Sequence, residues 1–186
     1  MVEIVVHPFL VVLDNKTVNN LGNDISREFG DIKVTVATPA NDSNLVQLKE
    51  ASSFDKHSNQ WDSFKILEWL LKKLYPKRGT KILGIFDIDA YSDGFDFVFG
   101  EAFYRGRVAA VYLSRIKQEF YSLKPNRALF YKRMVKESVH ELGHTFGLRH
   151  CKNSQCVMYF SISLLDIDRK GRSLCPSCGR KYFKLN

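Results

Sequence analysis

Residues 140–150 read His-Glu-Leu-Gly-His-Thr-Phe-Gly-Leu-Arg-His, and no other stretch restricts this chain as strongly. On a helix, His140 and His144 stand one turn apart on the same face, so both imidazoles can reach a single ion. Glu141 lies about 60° around the helix from His144, placed to touch a metal-bound water without being a ligand. Gly147 can adopt positive φ, which ends the helix sharply and lets His150 return as a third ligand. Three neutral imidazoles leave one zinc position open for water, the requirement of a catalytic site. At this chain's composition the five fixed residues are expected by chance in roughly one chain in 10⁵.

Cys151, Cys156, Cys175 and Cys178 are the only cysteines, and all fall in the last 36 residues. In a reducing compartment this cluster reads as four thiolate ligands of a second zinc, closed and therefore structural. Such a site would pin the segment after His150 to the C-terminal tail and supply its reason to stay folded. Disulfides, or a redox role for the Cys175–Cys178 pair, are the alternatives.

Hydrophobic periodicity predicts the remaining elements. Residues 2–6 read as a strand, Lys16–Glu28 as a helix ending at Gly30, and Ile32, Val34 and Val36 as a second strand. From about Asn59, Trp61, Phe64, Leu67, Leu71 and Leu74 follow helical spacing until Pro76. Lys81–Phe86 is a strand buried on both faces, and Phe95–Phe99 and Arg107–Leu113 are strand-like. Asn126–Phe146 is the longest helix, with Tyr131, Val135, Val139, Leu142 and Phe146 as its core stripe. Ser163–Asp168 can form a short helix. Alternating strands and helices imply an α/β sandwich on a mostly parallel sheet. No break in the pattern argues for more than one domain over residues 1–186.

The formal net charge is +8, but the basic residues are spread along the chain. Only the run Arg169, Lys170, Arg172, Arg180, Lys181 and Lys184 is dense, and nucleic-acid binding is not the expected function. No secretory signal or membrane-spanning stretch is visible, so a cytoplasmic protein with no membrane partner is expected.

The extended histidine pattern is the metzincin signature, and Met158, eight residues after His150, stands where a Met-turn would follow. Together with Cys151, Cys156 and the Cys175-Pro176-Ser177-Cys178 pair, it resembles the archaemetzincins, zinc peptidases of family M54. Sixteen residues separate Met158 from Cys175, one fewer than the family's usual spacer. The segments 97–102 and 166–170 also resemble the family, sharply over residues 97–178, whereas the first 95 match only in element order. The resemblance implies an α/β (α+β) metzincin-like zincin domain. Its twisted, mostly parallel sheet has an antiparallel edge strand and a long active-site helix. It divides into an N-terminal subdomain (1–147) and a small zinc-stapled C-terminal one (148–186). It also implies that Met158 lies beneath the imidazoles and that a peptide adds as a strand along an edge within Phe97–Ala102.

The expected chemistry is hydrolysis of a peptide bond by a zinc-bound water, with Glu141 as general base and then proton donor to the leaving amine. Two zinc ions per chain are implied, one on His140, His144 and His150 and one on the four cysteines. Phe160 stands where some metzincins carry a ligating Tyr, so three protein ligands are expected. Tyr159 and Phe160 either line the primed side of the cleft or simply pack below the turn. Phe99, Gly100 and Glu101 are substrate-side candidates, with Glu101 reading either a peptide amino terminus or only solvent. Short peptides or free amino termini are the expected substrates. The rival is a non-proteolytic zinc protein that uses the scaffold and its basic surface to bind protein or nucleic acid. Oligomeric state is not legible.

Overall fold

The computed structural model describes residues 2–9, 14–37 and 54–185. Five strands form the main sheet: β1 (Glu3–Phe9), β2 (Lys33–Val36), β5 (Thr80–Phe86), β8 (Gly100–Ala102) and β9 (Val108–Tyr112), in the order β2-β1-β5-β9-β8. The first four strands in that order run parallel, and β8 closes one edge antiparallel to β9, with Gly100 opposite Val111. A smaller sheet holds β3 (Phe54–Asp55), β4 (Gln60–Asp62), β6 (Ala90–Ser92) and β7 (Phe95–Val98).

The period-two alternation of the strands separates two cores. Ile4, Val6, Leu83, Ile85, Ala109 and Val111 face α1 (Asn15–Glu28) and α3 (Arg127–Thr145), meeting Leu21, Ile25, Val135, Val139 and Leu142. Phe9, Ile82, Phe86, Val108, Ala110 and Tyr112 face the opposite way, onto Ile66, Leu67 and Leu70 of α2 (Ser63–Leu74). The sheet therefore reads as nearly continuous apolar runs, as expected where both faces are covered. Gly84 permits this close approach: a Cβ there would lie 2.9 Å from Leu70 Cδ1.

Each long helix starts on a side chain that accepts a free backbone N–H. Asp14 caps α1, Asp62 caps α2 and Asn126 caps α3. The cap at Asp62 corrects the helix expected from Asn59. Trp61 belongs to β4, where it packs on Phe54, and the buried face of α2 is Ile66, Leu67, Trp69 and Leu70, leaving Phe64 exposed. Beyond α3, α4 (Leu164–Arg169) starts on Ser163, within one residue of the expected short helix. A further helix, α5 (Pro176–Leu185), was not expected; it buries Cys178 and Tyr182, one turn apart. Pro176 at its first position was the available signal. Among the described residues no helix is long and apolar enough to cross a membrane.

Candidate active site

Helix α3 delivers His140, Glu141 and His144 from the core, and Gly147, at φ +89°, reverses the chain behind them. The Leu148 N–H donates to Gly143 O at 2.9 Å, fixing that reversal and bringing His150 back over the helix end. His140 Nδ1 lies 2.8 Å from Val157 O, and His144 Nδ1 lies 2.8 Å from Leu148 O. Each ring that donates from Nδ1 keeps Nε2 free as a lone-pair donor to an ion. The two Nε2 atoms are 3.1 Å apart, and the His150 ring stands 5.3 Å from His140 and 4.8 Å from His144. One nitrogen from each imidazole falls within 4.8 Å of the others, so the three could hold a metal ion. Burial holds all three pKa values down, His144 to about 4, which keeps the rings in the neutral form a metal requires.

Two glycines make room for the chemistry. A Cβ on Gly100 would lie 2.6 Å from Glu141 Cγ and 2.8 Å from Ala110 O, so β8 can pass directly over the carboxylate only as glycine. A Cβ on Gly143 would collide with Met158 Sδ, so the thioether sits against the backbone of α3 between the two helical histidines. Met158 is fully buried. Burial, reinforced by the negative charges of Glu137 and Glu101 and opposed by Lys170, pushes the Glu141 carboxyl well above its usual range. A carboxyl raised toward neutrality can both take and return a proton.

The sulfur atoms of Cys151, Cys156, Cys175 and Cys178 also lie within 4.8 Å of one another, and no disulfide joins them. The Sγ atoms of Cys151 and Cys175 are 3.9 Å apart. A thiolate tetrahedron around zinc has edges of about 3.8 Å, so this spacing suits a shared ion and is far too long for a bond. The hydrogen bond from the Cys178 N–H is the main cause that lowers the Cys175 thiol to about 7. Cys151 N–H donates to Met158 O at 2.9 Å, tying this cluster to the floor of the histidine site.

A cleft of ≈ 670 Å³ opens above the histidines, lined by Phe99, Gly100 and Glu101 on one side and by Phe160 on the other. The Phe160 ring stands 4.6 Å from that of His150. Tyr159 does not line the cleft: it is half-buried, and its carbonyl lies 3.4 Å from Lys170 Nζ. A turn closed by the Tyr159 N–H on Cys156 O precedes Phe160, and of the pair only Phe160 lines the cleft. Glu101 Oε1 accepts the Ser92 hydroxyl at 3.0 Å, whereas Oε2 is buried with no hydrogen-bond partner among the described residues.

The sequence profile of peptidase family M54 matches residues 36–184. The chain belongs to that family. An archaemetzincin of Saccharolobus solfataricus is 42% identical over 135 residues, covering 73% of this chain and 72% of the relative. The crystal structure of the archaemetzincin from Methanopyrus kandleri aligns with a TM-score of 0.80 at 30% identity, over 99% of this chain and 94% of that one. That of Archaeoglobus fulgidus, complexed with malonate, aligns with a TM-score of 0.76 at 33% identity, over 96% and 99%. This M54 peptidase is thus a zinc metallopeptidase, with the mixed α/β fold expected.

Three features of this M54 site escaped sequence reasoning. Gly143 was a free position in the histidine motif, although a glycine inside a helix is itself a signal that something packs closely. Ser92 could not be linked to Glu101 before β6 and β8 were placed. Lys170, read as part of a basic surface run, is fully buried and paired with Glu137 at 2.9 Å. Arg172 of the same run lies 3.4 Å from both Asp24 and Glu28. Two of the run's six basic residues, Lys170 and Arg172, are thus held in ion pairs, whereas Arg169, Arg180, Lys181 and Lys184 remain exposed.

Proposed function

We propose that the protein hydrolyses short peptides in the cytoplasm, with zinc held by His140, His144 and His150 and Glu141 as the catalytic acid–base. The observation that carries this reading is the convergence of three neutral imidazoles beside a buried carboxylate under Gly100. Zinc, when bound there, supplies Lewis-acid polarisation of the scissile carbonyl and acidifies a water. The Glu141 carboxylate takes the proton from the attacking water. As the C–N bond breaks, Glu141 gives that proton to the leaving amine nitrogen. A second zinc on Cys151, Cys156, Cys175 and Cys178 would be structural, holding residues 148–186 as a subdomain against residues 1–147, with Met158 between them.

The outer edge of β8 is unpaired among the described residues, and it borders the cleft. A peptide laid along it gains main-chain hydrogen bonds without regard to sequence. The unpartnered Glu101 Oε2 favours a free amino group as the feature recognised, that is, aminopeptidase action. The test is zinc per chain together with cleavage of a peptide library by the parent and by Glu141→Ala. Two zinc ions and Glu141-dependent release of residues from the amino end are expected. Two zinc ions with no cleavage, or cleavage unaffected by the substitution, would sink the reading.

A further inference from the structure

The segment Ile167–Lys170 is fastened along one stripe of α3. Arg133 grips the Asp168 carboxylate through Nε at 2.7 Å and Nη2 at 2.6 Å. Lys136 Nζ donates to the carbonyls of Ile167 at 2.8 Å and Asp168 at 3.0 Å. Glu137 Oε1 forms an ion pair with Lys170 at 2.9 Å without hydrogen-bond geometry, and the same ammonium stands 3.4 Å from Tyr159 O and 3.4 Å from His140 Nδ1. Positions 133, 136, 137 and 140 share one helical face, so these ties climb α3 to the turn that precedes the first histidine of the site, whose own Nδ1 is engaged by Val157 O.

The last tie differs from the others in its burial. Side-chain exposure is 0% for Lys170 and 3% for Glu137. Taking both charges out of water costs about as much as their attraction returns, and an apolar pair of similar volume often serves stability as well or better. Stability alone therefore gives no reason for a lysine here, but its neighbours do. Val157 O is held by His140 and Tyr159 O by Lys170, so the carbonyls on both sides of Met158 are fixed by groups anchored on α3.

We propose that Lys170 is a positioning residue of the histidine site: its ammonium, seated on Glu137, holds the chain around Met158 so that the His140 ring stays aimed at the shared metal position. This assignment rests on zinc occupying the three histidines, but not on any peptide being cleaved.

The test uses the full-length, zinc-loaded protein with Lys170→Met and the double variant Lys170→Met/Glu137→Leu. Lys170→Met strands a buried carboxylate and is expected to unfold readily; the double variant removes both charges and recovers the parent's melting temperature. The readouts are melting temperature and zinc loss to a competing chelator, the histidine-site phase being the one that His150→Ala lacks. The double variant is expected to lose that zinc roughly 10- to 100-fold faster than the parent, with the cysteine-site phase unchanged. Its kcat should fall while KM stays near the parent value. Histidine-site zinc loss within twofold of the parent, at any melting temperature, would overturn the proposal and leave Lys170 a core-filling side chain. A parent that holds this zinc yet cleaves nothing would instead refute the peptidase reading alone, and a parent without it would refute both.

Discussion

Gly100 and Glu141 occupy one another's space: a Cβ on residue 100 would fall 2.8 Å from Glu141 Oε1 as well as 2.6 Å from its Cγ. The strand that borders the substrate cleft and the carboxylate proposed to move the proton are thus set by the same contact. Gly100→Ala must displace one of them. We expect kcat to drop about 100-fold with zinc content intact, since an error near 1 Å in a catalytic group costs that order. Overpacking should lower stability by about 1–3 kcal/mol. Parental kcat in a folded Gly100→Ala protein would show that the carboxylate has another place to go.

Glu141→Gln keeps the shape of the side chain and removes its capacity to hold a proton. Peptide cleavage should fall by about 10²–10⁴-fold, the usual contribution of a general base, while both metals and the fold are retained. Metal analysis and circular dichroism on the same sample separate lost chemistry from lost structure.

Stability of the metal-free protein should depend on pH through opposed groups. Burial lowers His140, His144 and His150, His144 to about 4. Below the unfolded histidine value of about 6.5, the unfolded chain therefore binds protons that the fold refuses, and this contribution to stability is lost as pH falls from 6.5 toward 4. Glu141, raised by burial, works the other way, because the fold keeps its proton after the unfolded chain has released it. In Glu141→Gln only the histidine effect remains, so the melting temperature should decline more steeply between pH 6.5 and 4.5 than in the parent. Equal slopes would mean that the buried carboxyl does not titrate in this range.

Cys178→Ser should release one zinc and loosen the C-terminal residues. Cys178 and Tyr182 share the buried face of α5, and Tyr182 packs at a tilt against Phe29 and edge-on against Phe146 and donates to Phe29 O at 3.1 Å. We expect a melting temperature lower by at least about 10 °C, corresponding to a few kcal/mol for a chain of this size. A variant that retains both ions and its melting temperature would remove the structural-zinc reading.

Glu101→Gln tests amino-terminus recognition; because it also removes one of the charges that raise Glu141, the control is an N-acetylated peptide, which uses the same proton path. KM for unblocked peptides should rise about tenfold, the worth of one charge-assisted hydrogen bond, while N-acetylated peptides change little. An equal loss on both would assign Glu101 to holding Ser92 and the β6–β8 corner instead.

How much of this was legible in the sequence follows from how local each signal is. The metal-ligand candidates could be read because His140, His144 and His150, and each pair of cysteines, are held at short spacing. β5 and β9 could be read because burial on both faces makes them unbroken apolar runs. Of the smaller sheet only β7 could be read, within Phe95–Phe99; strands of two or three residues such as Phe54–Asp55 and Gln60–Asp62 are too short to show a period. Trp61 fell by accident on a helical stripe, and only the cap at Asp62 separates it from α2. Contacts such as Met158 with Gly143 and Lys170 with Glu137 exist only once the chain after Gly147 folds back on α3. Composition made Lys170 a surface charge, and tertiary structure made it an interior one.

The strand order has a consequence for synthesis. β1 lies between β2 and β5, with Glu3 opposite both Lys33 and Thr80, so an interior strand of the sheet precedes all the others in the sequence. As the chain emerges from the ribosome, β1 can pair on one side with β2 but must wait for residues 80–86 on the other. The histidines follow later, and the cysteine cluster cannot close until Cys178 has been made. A nascent chain stalled anywhere before that point carries an apolar sheet without its last staple, and it is there, rather than in the finished protein, that aggregation and chaperone capture should concentrate.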